Sequence, residues 1–426
     1  MTVPAGLAGL AGADSVDRRV YTDPDVFAAE MLRLFGRAWL YVAHESQIAH
    51  PGQYVLAEMA GHSVIVMRDD DGRIGVHHNR CPHRGVRLLQ EPAGQVPQRL
   101  SCSYHGWSFR RDGTLRAVPQ ASDYAAGLPG RGLEAVACVQ SYRGFVFARL
   151  AADGPDLVSF LGPVAASLDN MTERAPEGRI EVAFGSLRMM QHSNWKIYLE
   201  NSHDGVHALP THRSSTEPAR RAAEHAADPW SRFQAQVVAA NAQSLQAMEQ
   251  LAVHCHPHGH SEMVGFRKAR AADPQYLDYE SALRRRLGDE GLERVLGQDR
   301  HNAVIYPGLS VQPTYLQLRV IVPLAVDRTR IDVWLFRLKG APAWMDRRTV
   351  AYANTIHSAA SVVRADDLEN YERIQRGLAS GLEPRVRHDR RLAGEEAPVG
   401  LSTAVGERFI RNQFAAWQTY MGGGST

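Results

Sequence analysis

Two short segments of the sequence each place one cysteine beside one histidine. Cys81 and His83 are separated by one residue, and Cys102 and His105 are separated by two. Thiolate is a soft metal ligand and imidazole a borderline one, so two such pairs predict one shared metal site. A site of this kind ties two loops to the same point, and it therefore constrains the fold more than any other feature of the chain.

Two kinds of metal site can use these four ligands. A tetrahedral zinc ion binds two cysteines and two histidines. A 2Fe–2S cluster can bind two cysteines on one iron and two histidines on the other. In common zinc modules one segment supplies two cysteines and another supplies two histidines. Here each loop supplies one cysteine and one histidine. This pairing favours the two-iron cluster, and Gly85 and Gly106 just beyond the ligands permit close approach of the backbone.

The segments 81–85 (CPHRG) and 102–107 (CSYHGW) resemble the Rieske motif of aromatic ring-hydroxylating oxygenases. The resemblance extends from about Phe35 to about Met421 and fits the large, or alpha, subunit of the terephthalate and benzoate type. It implies that the four Cys and His residues hold a Rieske 2Fe–2S cluster.

Length and composition limit the alternatives. The chain has 426 residues, which is typical of two domains. Its hydrophobic fraction is 44%, its charged fraction is 22%, and its net charge is +2, so no charge argument favours nucleic acid or a membrane surface. No apolar run is long enough for a membrane span. Four cysteines cannot form a disulfide framework, and we expect a cytoplasmic protein.

The pattern of short strands and long helices predicts an α+β fold. Residues 41–155 contain alternating runs between Gly and Asp turns and are expected to form an all-β Rieske domain. Residues 156–426 are expected to form the catalytic domain. By resemblance this domain is an antiparallel sheet wrapped around long helices (helix-grip, START-like). Residues 1–40 are expected to be a helical segment packing on it, with a helix over 23–42, and 350–378 to be one long helix.

A second candidate site lies in NWKIYLENSHDGVHALPTH, residues 194–212. Asp204 and His207 are three residues apart and are predicted to share a helix face. Pro210 is predicted to break the helix, which would let His212 return toward His207. Two histidines and one carboxylate with open positions form the facial triad of non-haem iron enzymes.

The resemblance implies the remaining residues of this site. Asp367 stands eight residues before Gln375, as in the family's ligand helix, and is the expected third iron ligand, with its neighbour Asp366 as the alternative. Read without the resemblance, this acidic pair indicates only a solvated first helical turn. Asp204 is the expected bridging carboxylate between a ligand histidine and a Rieske histidine of a neighbouring subunit.

The expected catalytic residues are therefore Asp204, Asn201 and Glu200, the last as a proton relay or a helix residue. The expected mononuclear Fe(II) ligands are His207, His212 and Asp367. Because the family's bridging contact joins two subunits, the resemblance implies a homotrimer, or an α3β3 assembly with a small beta subunit.

The two sites imply two different roles. The cluster is expected to relay single electrons, and the Fe(II) that receives them is expected to bind O2. The sequence contains no dinucleotide-binding glycine fingerprint and no P-loop, so NAD(P)H and flavin are expected on a partner reductase, with or without a ferredoxin. The expected reaction is cis-dihydroxylation of an aromatic ring. The alternatives are a Rieske monooxygenase (hydroxylation or demethylation), a Rieske electron-transfer protein with a non-catalytic binding domain, and a zinc-stabilised structural protein.

Two arginines are candidates for substrate binding. Arg319 lies in a predicted strand and Arg411 in the last predicted helix, and from the residues alone both are ordinary surface arginines. Their positions resemble those of arginines that grip an aromatic acid in terephthalate-type oxygenases. We therefore expect an aromatic carboxylate as substrate.

Other metal-binding residue types carry weaker signals. The segment 254–260 (HCHPHGH) offers four histidines, which strand alternation would place on one exposed face, and a third metal site there is not favoured. Cys138 and Cys255 are expected to be inert thiols.

Overall fold

The computed structural model describes residues 6–124, 128, 132–265, 274–298 and 300–422. The chain divides into two compact units. One unit is Phe35–Leu157, and the other combines Met1–Leu34 with Val158–Thr426. None of the helices in the described part of the chain has the length and apolar character that a membrane span requires.

The N-terminal segment is short and mostly helical. It contains β1 (Ser15–Asp17), α1 (Arg19–Thr22) and α2 (Pro24–Glu30), and α2 continues as a π-helix over Met31–Phe35. Asp23 caps α2 by accepting from the backbone N–H of Asp25 over 2.8 Å.

The predicted helix over 23–42 is wrong in its second half. Leu40–His44 forms β2, and all five of its residues are buried. Residues such as Leu40, Tyr41 and Val42 pack well on a pleated surface, and this packing outweighs the helical pattern that precedes them.

The unit Phe35–Leu157 is an all-β body, which confirms the predicted character of this region. β11 pairs with β10 on one side and with β2 on the other, a second sheet has the order β5-β4-β3-β6, and a third has the order β7-β8-β9. The further strands are β3 (Gln53–Met59), β4 (His62–Arg68), β5 (Ile74–His78), β6 (Ala93–Gln95), β7 (Leu100–Ser101), β8 (Ser108–Phe109), β9 (Leu115–Ala117), β10 (Cys138–Tyr142) and β11 (Phe145–Arg149).

The larger unit is built on one antiparallel sheet of eight strands in the order β12-β18-β17-β16-β15-β14-β13-β20. Its strands are β12 (Ile180–Gln191), β13 (Ala252–Cys255), β14 (Ser261–Gly265), β15 (Arg300–Ile305), β16 (Leu309–Gln312), β17 (Gln317–Ala325), β18 (Arg328–Leu338) and β20 (Gly400–Thr403), while β19 (Arg385–Arg387) pairs with β1.

The helices of this unit are α3 (Leu157–Leu161), α4 (Ala165–Glu173), α5 (Trp195–Asn201), α6 (Ala208–Glu224), α7 (Pro229–Ala239), α8 (Leu245–Glu249), α9 (Pro274–Leu296), α10 (Ala343–Tyr352), α11 (Arg364–Ala379) and α12 (Arg408–Met421). Helix α5 contacts β17, α11 contacts β12, and α12 contacts β13. The predicted α+β class, with an antiparallel sheet and long helices in the C-terminal part, is confirmed.

Glu30 fixes the N-terminal segment in the core of the larger unit. Its carboxylate is fully buried and lies 2.5 Å from Nζ of Lys196. The indole N–H groups of Trp195 and Trp417 donate to it over 2.9 and 2.7 Å. A buried carboxylate is stable only when it is paired in this way. Because Glu30 belongs to α2 and its partners belong to α5 and α12, α2 is a structural part of the larger unit.

Candidate functional site

The two Cys/His loops of the unit Phe35–Leu157 have the same backbone geometry. The N–H of Cys81 donates to the carbonyl of Val86 over 2.8 Å, and the N–H of Cys102 donates to the carbonyl of Trp107 over 2.8 Å. In each loop the fourth residue after the cysteine is a glycine with a positive φ, 78° at Gly85 and 71° at Gly106. Only glycine adopts this conformation without strain, so the sequence dictates two equivalent tight loops.

The four candidate ligands are arranged with the cysteines inside and the histidines outside. Cys81 and Cys102 are buried, whereas His83 and His105 are half-buried and their ring centroids lie 4.5 Å apart. Within the described residues, these four do not bring three ligand atoms within 4.8 Å of one another, as a single zinc ion would need. Buried cysteines and half-buried histidines fit a two-iron cluster with sulfur ligands on one iron and nitrogen ligands on the other.

Trp107 packs beside this candidate cluster site. Its ring stacks on His83 at 5.1 Å and 2°, and its indole N–H donates to the Tyr124 hydroxyl over 3.2 Å. The buried indole fixes the plane of the His83 imidazole, which a metal ligand requires.

A second cluster of ligand atoms lies in the larger unit. Nε2 of His207 is 3.7 Å and Nε2 of His212 is 3.4 Å from Oδ1 of Asp367. That oxygen is buried and has no hydrogen-bond partner among the described residues. Three ligand atoms facing one point at these separations fit a metal ion with two nitrogen ligands and one oxygen ligand, as in a facial triad.

The local structure around these histidines differs from the prediction. Asp204 lies in a turn rather than on a helix, and α6 begins immediately after His207. Pro210 does not break the helix, because it lies in the first turn, where its missing N–H costs nothing. His207 takes the N-cap position of α6 with helical backbone angles (φ −64°, ψ −29°), and its ring centroid lies 5.7 Å from that of His212.

Asp366 and Arg364 hold the ligands in place. Oδ2 of Asp366 lies 3.3 Å from Nδ1 of His212, the nitrogen that faces away from Asp367. Arg364 Nη1 donates to Oδ2 of Asp367 over 2.9 Å. Burial would raise the pKa of Asp367, but the charges of Arg364 and His212 outweigh burial and lower it, so the carboxylate is ionised as metal binding requires.

The three predicted catalytic residues occupy different positions. Asp204 lies at the site, with Oδ2 3.9 Å from Nδ1 of His207 and Oδ1 3.5 Å from Arg390. Asn201 lines the cavity beside the histidines. Glu200 is not among the cavity residues; its carboxylate accepts from the Tyr21 hydroxyl over 2.8 Å, and burial raises its pKa to about 7.

The candidate metal ligands open into a cavity that also contains Arg319. The Arg319 side chain is buried, its Nε has no hydrogen-bond partner, and no carboxylate of the described residues lies within ion-pairing distance. An unpaired buried charge is costly, and a ligand carboxylate would satisfy it. Arg319, a substrate-binding candidate from the sequence, therefore lies in the same cavity as the candidate metal ligands.

Arg411, the second candidate for substrate binding, does not lie in this cavity. Its guanidinium donates to Oε2 of the buried Glu395 over 2.7 Å and to the carbonyls of His388 and Arg390 over 3.0 and 3.1 Å. It is not a cavity residue, and protein groups occupy its donors. Arg411 therefore makes structural contacts and is not among the residues that line the cavity beside the candidate iron ligands.

The histidines of 254–260 find partners within the protein. His256 lies 3.5 Å from Glu262, and His260 contacts the Phe160 carbonyl over 2.9 Å. His260 is buried, so the expectation of one exposed face is wrong. In the described part of the chain, the segment adds no further cluster with three ligand atoms in metal-binding range.

The two remaining cysteines, which were expected to be inert, lie in different surroundings: Cys138 is half-buried and Cys255 is buried. Cys138 and Cys255 are free thiols. Burial raises the pKa of Cys255 to about 12, so its thiol stays protonated and unreactive.

Sequence reasoning missed three cavity residues that bear on chemistry, namely His357, Arg364 and Gln312. Arg364 could have been predicted as a partner of Asp367, because it precedes Asp367 by three residues on one helix. No sequence pattern indicated His357 or Gln312, because only the tertiary fold brings these residues to the cavity.

Comparison with known proteins agrees with this geometry. Residues 38–142 match the Rieske [2Fe-2S] domain, and residues 181–400 match the ring hydroxylating alpha subunit catalytic domain. The first match contains both Cys/His loops, and the second contains the His207, His212 and Asp367 cluster.

Individual relatives and structures extend the match over most of the chain. Toluate 1,2-dioxygenase subunit alpha of Pseudomonas putida is 30% identical over 85% of this chain and 79% of its own length. The 2-halobenzoate 1,2-dioxygenase large subunit of Burkholderia cepacia is 28% identical over 84% of this chain and 76% of its own length. The crystal structure of a naphthalene 1,2-dioxygenase mutant bound to phenanthrene superposes with a TM-score of 0.80 at 26% identity, covering 99% of this chain and 95% of that chain.

Proposed function

This chain belongs to the family of ring-hydroxylating dioxygenase alpha subunits, and we propose that it cis-dihydroxylates an aromatic carboxylate. The reaction adds both atoms of O2 to adjacent ring carbons and consumes two electrons and two protons. The relatives named for toluate and 2-halobenzoate support an aromatic acid as substrate.

Each metal group is assigned to one part of the chain. The Rieske cluster belongs to 41–155, bound by Cys81, His83, Cys102 and His105, and the mononuclear iron to 156–426, bound by His207, His212 and Asp367. When bound, the cluster supplies single electrons and the iron supplies O2 binding and activation. The protein residues hold each of these groups, and the substrate, in a fixed position.

The observation that carries the proposal is that Arg319 and the histidine–carboxylate cluster line the same cavity. An arginine without a counter-ion in a buried cavity matches a planar carboxylate, which accepts two parallel hydrogen bonds from one guanidinium. Anchoring the carboxylate on Arg319 would present the ring to the iron ligands.

The remaining polar residues are assigned to proton and electron delivery. Asp204 stands beside His207 and is proposed to connect it to a Rieske histidine of a neighbouring subunit. Asn201 lines the cavity next to them. Glu200, whose pKa is near neutrality because it is buried, can hold a proton that it shares with the Tyr21 hydroxyl.

The proposed assembly and partners follow from the family. A reductase with NAD(P)H and flavin, acting with or without a ferredoxin, supplies the electrons. The chain forms a homotrimer, or an α3β3 complex with a small beta subunit, as the terms subunit alpha and large subunit of the relatives suggest. The chain has only four cysteines, two of them assigned to the cluster, which supports a cytoplasmic location.

A single-turnover experiment tests the proposal. The purified protein, reduced with dithionite, is mixed with benzoate and O2, and the product is identified by mass spectrometry with 18O2. A cis-diol carrying both labelled atoms is expected. A phenol carrying one labelled atom would indicate monooxygenation instead.

The His207→Ala variant provides the matched control. It should lose turnover and keep the visible spectrum of the cluster, because the two sites use separate ligands. An electron carrier with a non-catalytic second domain would give no product in either protein.

A further inference from the structure

The wall of the cavity formed by β16 and β17 is polar. Gln312 on β16 and Arg319 on β17 line the cavity, and they pair in the sheet with Gln317 and Ser310; all four residues are buried. Each carries at least one buried side-chain atom without a hydrogen-bond partner among the described residues. An unsatisfied buried polar atom is unfavourable, so a cavity lined by Gln312 and Arg319 fits a ligand that brings polar groups of its own.

His357 adds a donor of fixed direction to the same cavity. Arg364 Nη2 lies 3.0 Å from Nδ1 of His357. Arginine only donates hydrogen bonds, so Nδ1 accepts and the ring proton resides on Nε2. His357 is 4% exposed and lines the cavity, and its Nε2 has no partner in the described part of the chain.

The imidazole of His357 is neutral. Burial, together with the charges of Arg319 and Arg364, holds its pKa well below the usual value. The charge of Arg364 is already paired with Asp367, and its Nη1 also contacts the Tyr371 hydroxyl over 3.3 Å. The cavity therefore offers a cation without an ion-pair partner among the described residues, Arg319, and a separate neutral donor, His357. Arg300 also lines the cavity, where its Nη2 donates to the carbonyl of Ala240 over 3.3 Å.

We propose that the substrate is an aromatic acid with a second, neutral oxygen substituent, a ring hydroxyl, that accepts a hydrogen bond from Nε2 of His357 while its carboxylate pairs with Arg319. This inference rests on the proposed function and narrows it. A second carboxylate would prefer a second cation, whereas a hydroxyl matches a neutral N–H donor. A plain benzoate would leave the His357 donor unsatisfied.

Binding and turnover of four probes test the inference. Benzoate and 2-, 3- and 4-hydroxybenzoate are titrated into the anaerobic holoenzyme by calorimetry, and kcat/KM is then measured for each. At least one hydroxybenzoate should exceed benzoate by about tenfold or more in both measurements, the effect of one well-placed hydrogen bond.

Two variants locate the preference at His357. His357→Phe keeps an aromatic side chain without the donor, and it should reduce the hydroxybenzoate preference, measured against benzoate on the same variant, to about one. His357→Gln retains an acceptor for Arg364 and a donor for the cavity, and it should keep part of the preference. The visible spectrum and the iron content report folding in both variants.

The outcomes separate the inference from the proposed function. Turnover of benzoate with no hydroxybenzoate preferred would overturn the inference and leave the proposed function standing. Tighter binding of a benzenedicarboxylate than of every hydroxybenzoate would also overturn it. If the wild-type enzyme oxidises none of the aromatic acids, both the inference and the proposed function fail.

Discussion

Arg364 and Asp367 form a buried ion pair one helical turn apart on α11, with 2.9 Å between Nη1 and Oδ2. In this pair the two carboxylate oxygens of Asp367 have different roles. Oδ2 is held by arginine, and Oδ1 is left for the ion that His207 and His212 would share. The orientation of the iron ligand therefore depends on a residue that does not itself bind iron.

Arg364→Gln should weaken iron binding. Removing the arginine leaves the buried carboxylate without its counter-ion, and loss of a supporting contact of this kind typically costs about 10–100-fold in metal affinity. Titration of the iron-depleted protein with Fe(II) measures the change. The matched control is Arg376→Gln, on the same helix but paired with Glu372 at the surface. Equal affinities for both variants would show that the ion pair does not support the ligand.

Substitution of the two adjacent aspartates should give different results. Asp367→Asn should reduce the metal content from about three irons to about two irons per two sulfides, because only the cluster remains. Asp366→Asn should retain the third iron with reduced affinity, since Asp366 contacts only the outer nitrogen of His212. Iron and acid-labile sulfide assays on both proteins measure this. The reverse pattern would make Asp366 the ligand.

The two Cys/His loops could be predicted from the sequence because their geometry is local. Two six-residue loops with a glycine at the same position determine their own conformation, and the alternation of Cys and His already favoured two irons over zinc. The choice between Asp366 and Asp367 needed either the family resemblance or the structure. From the residues alone, both aspartates fit a solvated first turn of a helix.

The long-range parts of the site could not be predicted. Residues 350–378 have a helical pattern throughout, yet the structure has α10, a π-helix over Ala353–His357, a break, and then α11. This break brings His357 and Arg364 together, and periodicity contains no signal for it. Pro210 was misjudged for a related reason, since a proline ends a helix only when an N–H is needed at its position.

Arg319→Gln should impair the use of aromatic acids specifically. Loss of one partner of a buried charge pair costs about 2 kcal/mol or more, or about 30-fold in kcat/KM for benzoate. Turnover of toluene, which has no carboxylate, should fall much less or rise. The Arg411→Gln variant serves as the comparison, because its contacts are to Glu395 and backbone carbonyls. An equal loss for benzoate and toluene would argue against a carboxylate contact.

Glu30→Ala should destabilise the larger unit strongly. It leaves Lys196 as an unpaired buried charge and removes the acceptor of two indole N–H groups. Breaking a buried pair of this type costs about 3–5 kcal/mol, which thermal unfolding would report as a lower Tm. Glu217→Ala removes the exposed partner of Arg213 and should cost at most about 0.5 kcal/mol. Similar Tm values for the two variants would contradict the structural role of Glu30.

Glu200 should make the stability of the protein depend on pH in a predictable direction. Burial raises its pKa to about 7 from an ordinary value of 4.5. Between these values the folded protein binds a proton that the unfolded chain does not. The stabilisation is therefore fully present below about pH 4.5 and is lost as the pH rises through about 7.

The Glu200→Gln variant isolates this effect, since glutamine keeps an acceptor for the Tyr21 hydroxyl but does not titrate. The Tm of the wild type minus that of the variant should fall between about pH 5 and about pH 8. Groups that titrate in both proteins cancel in this difference. Glu249→Gln, at an exposed position, should give a difference that does not vary with pH. A constant difference for Glu200→Gln as well would mean that its carboxyl group is already ionised at pH 5, and that it cannot hold the proton assigned to it near neutral pH.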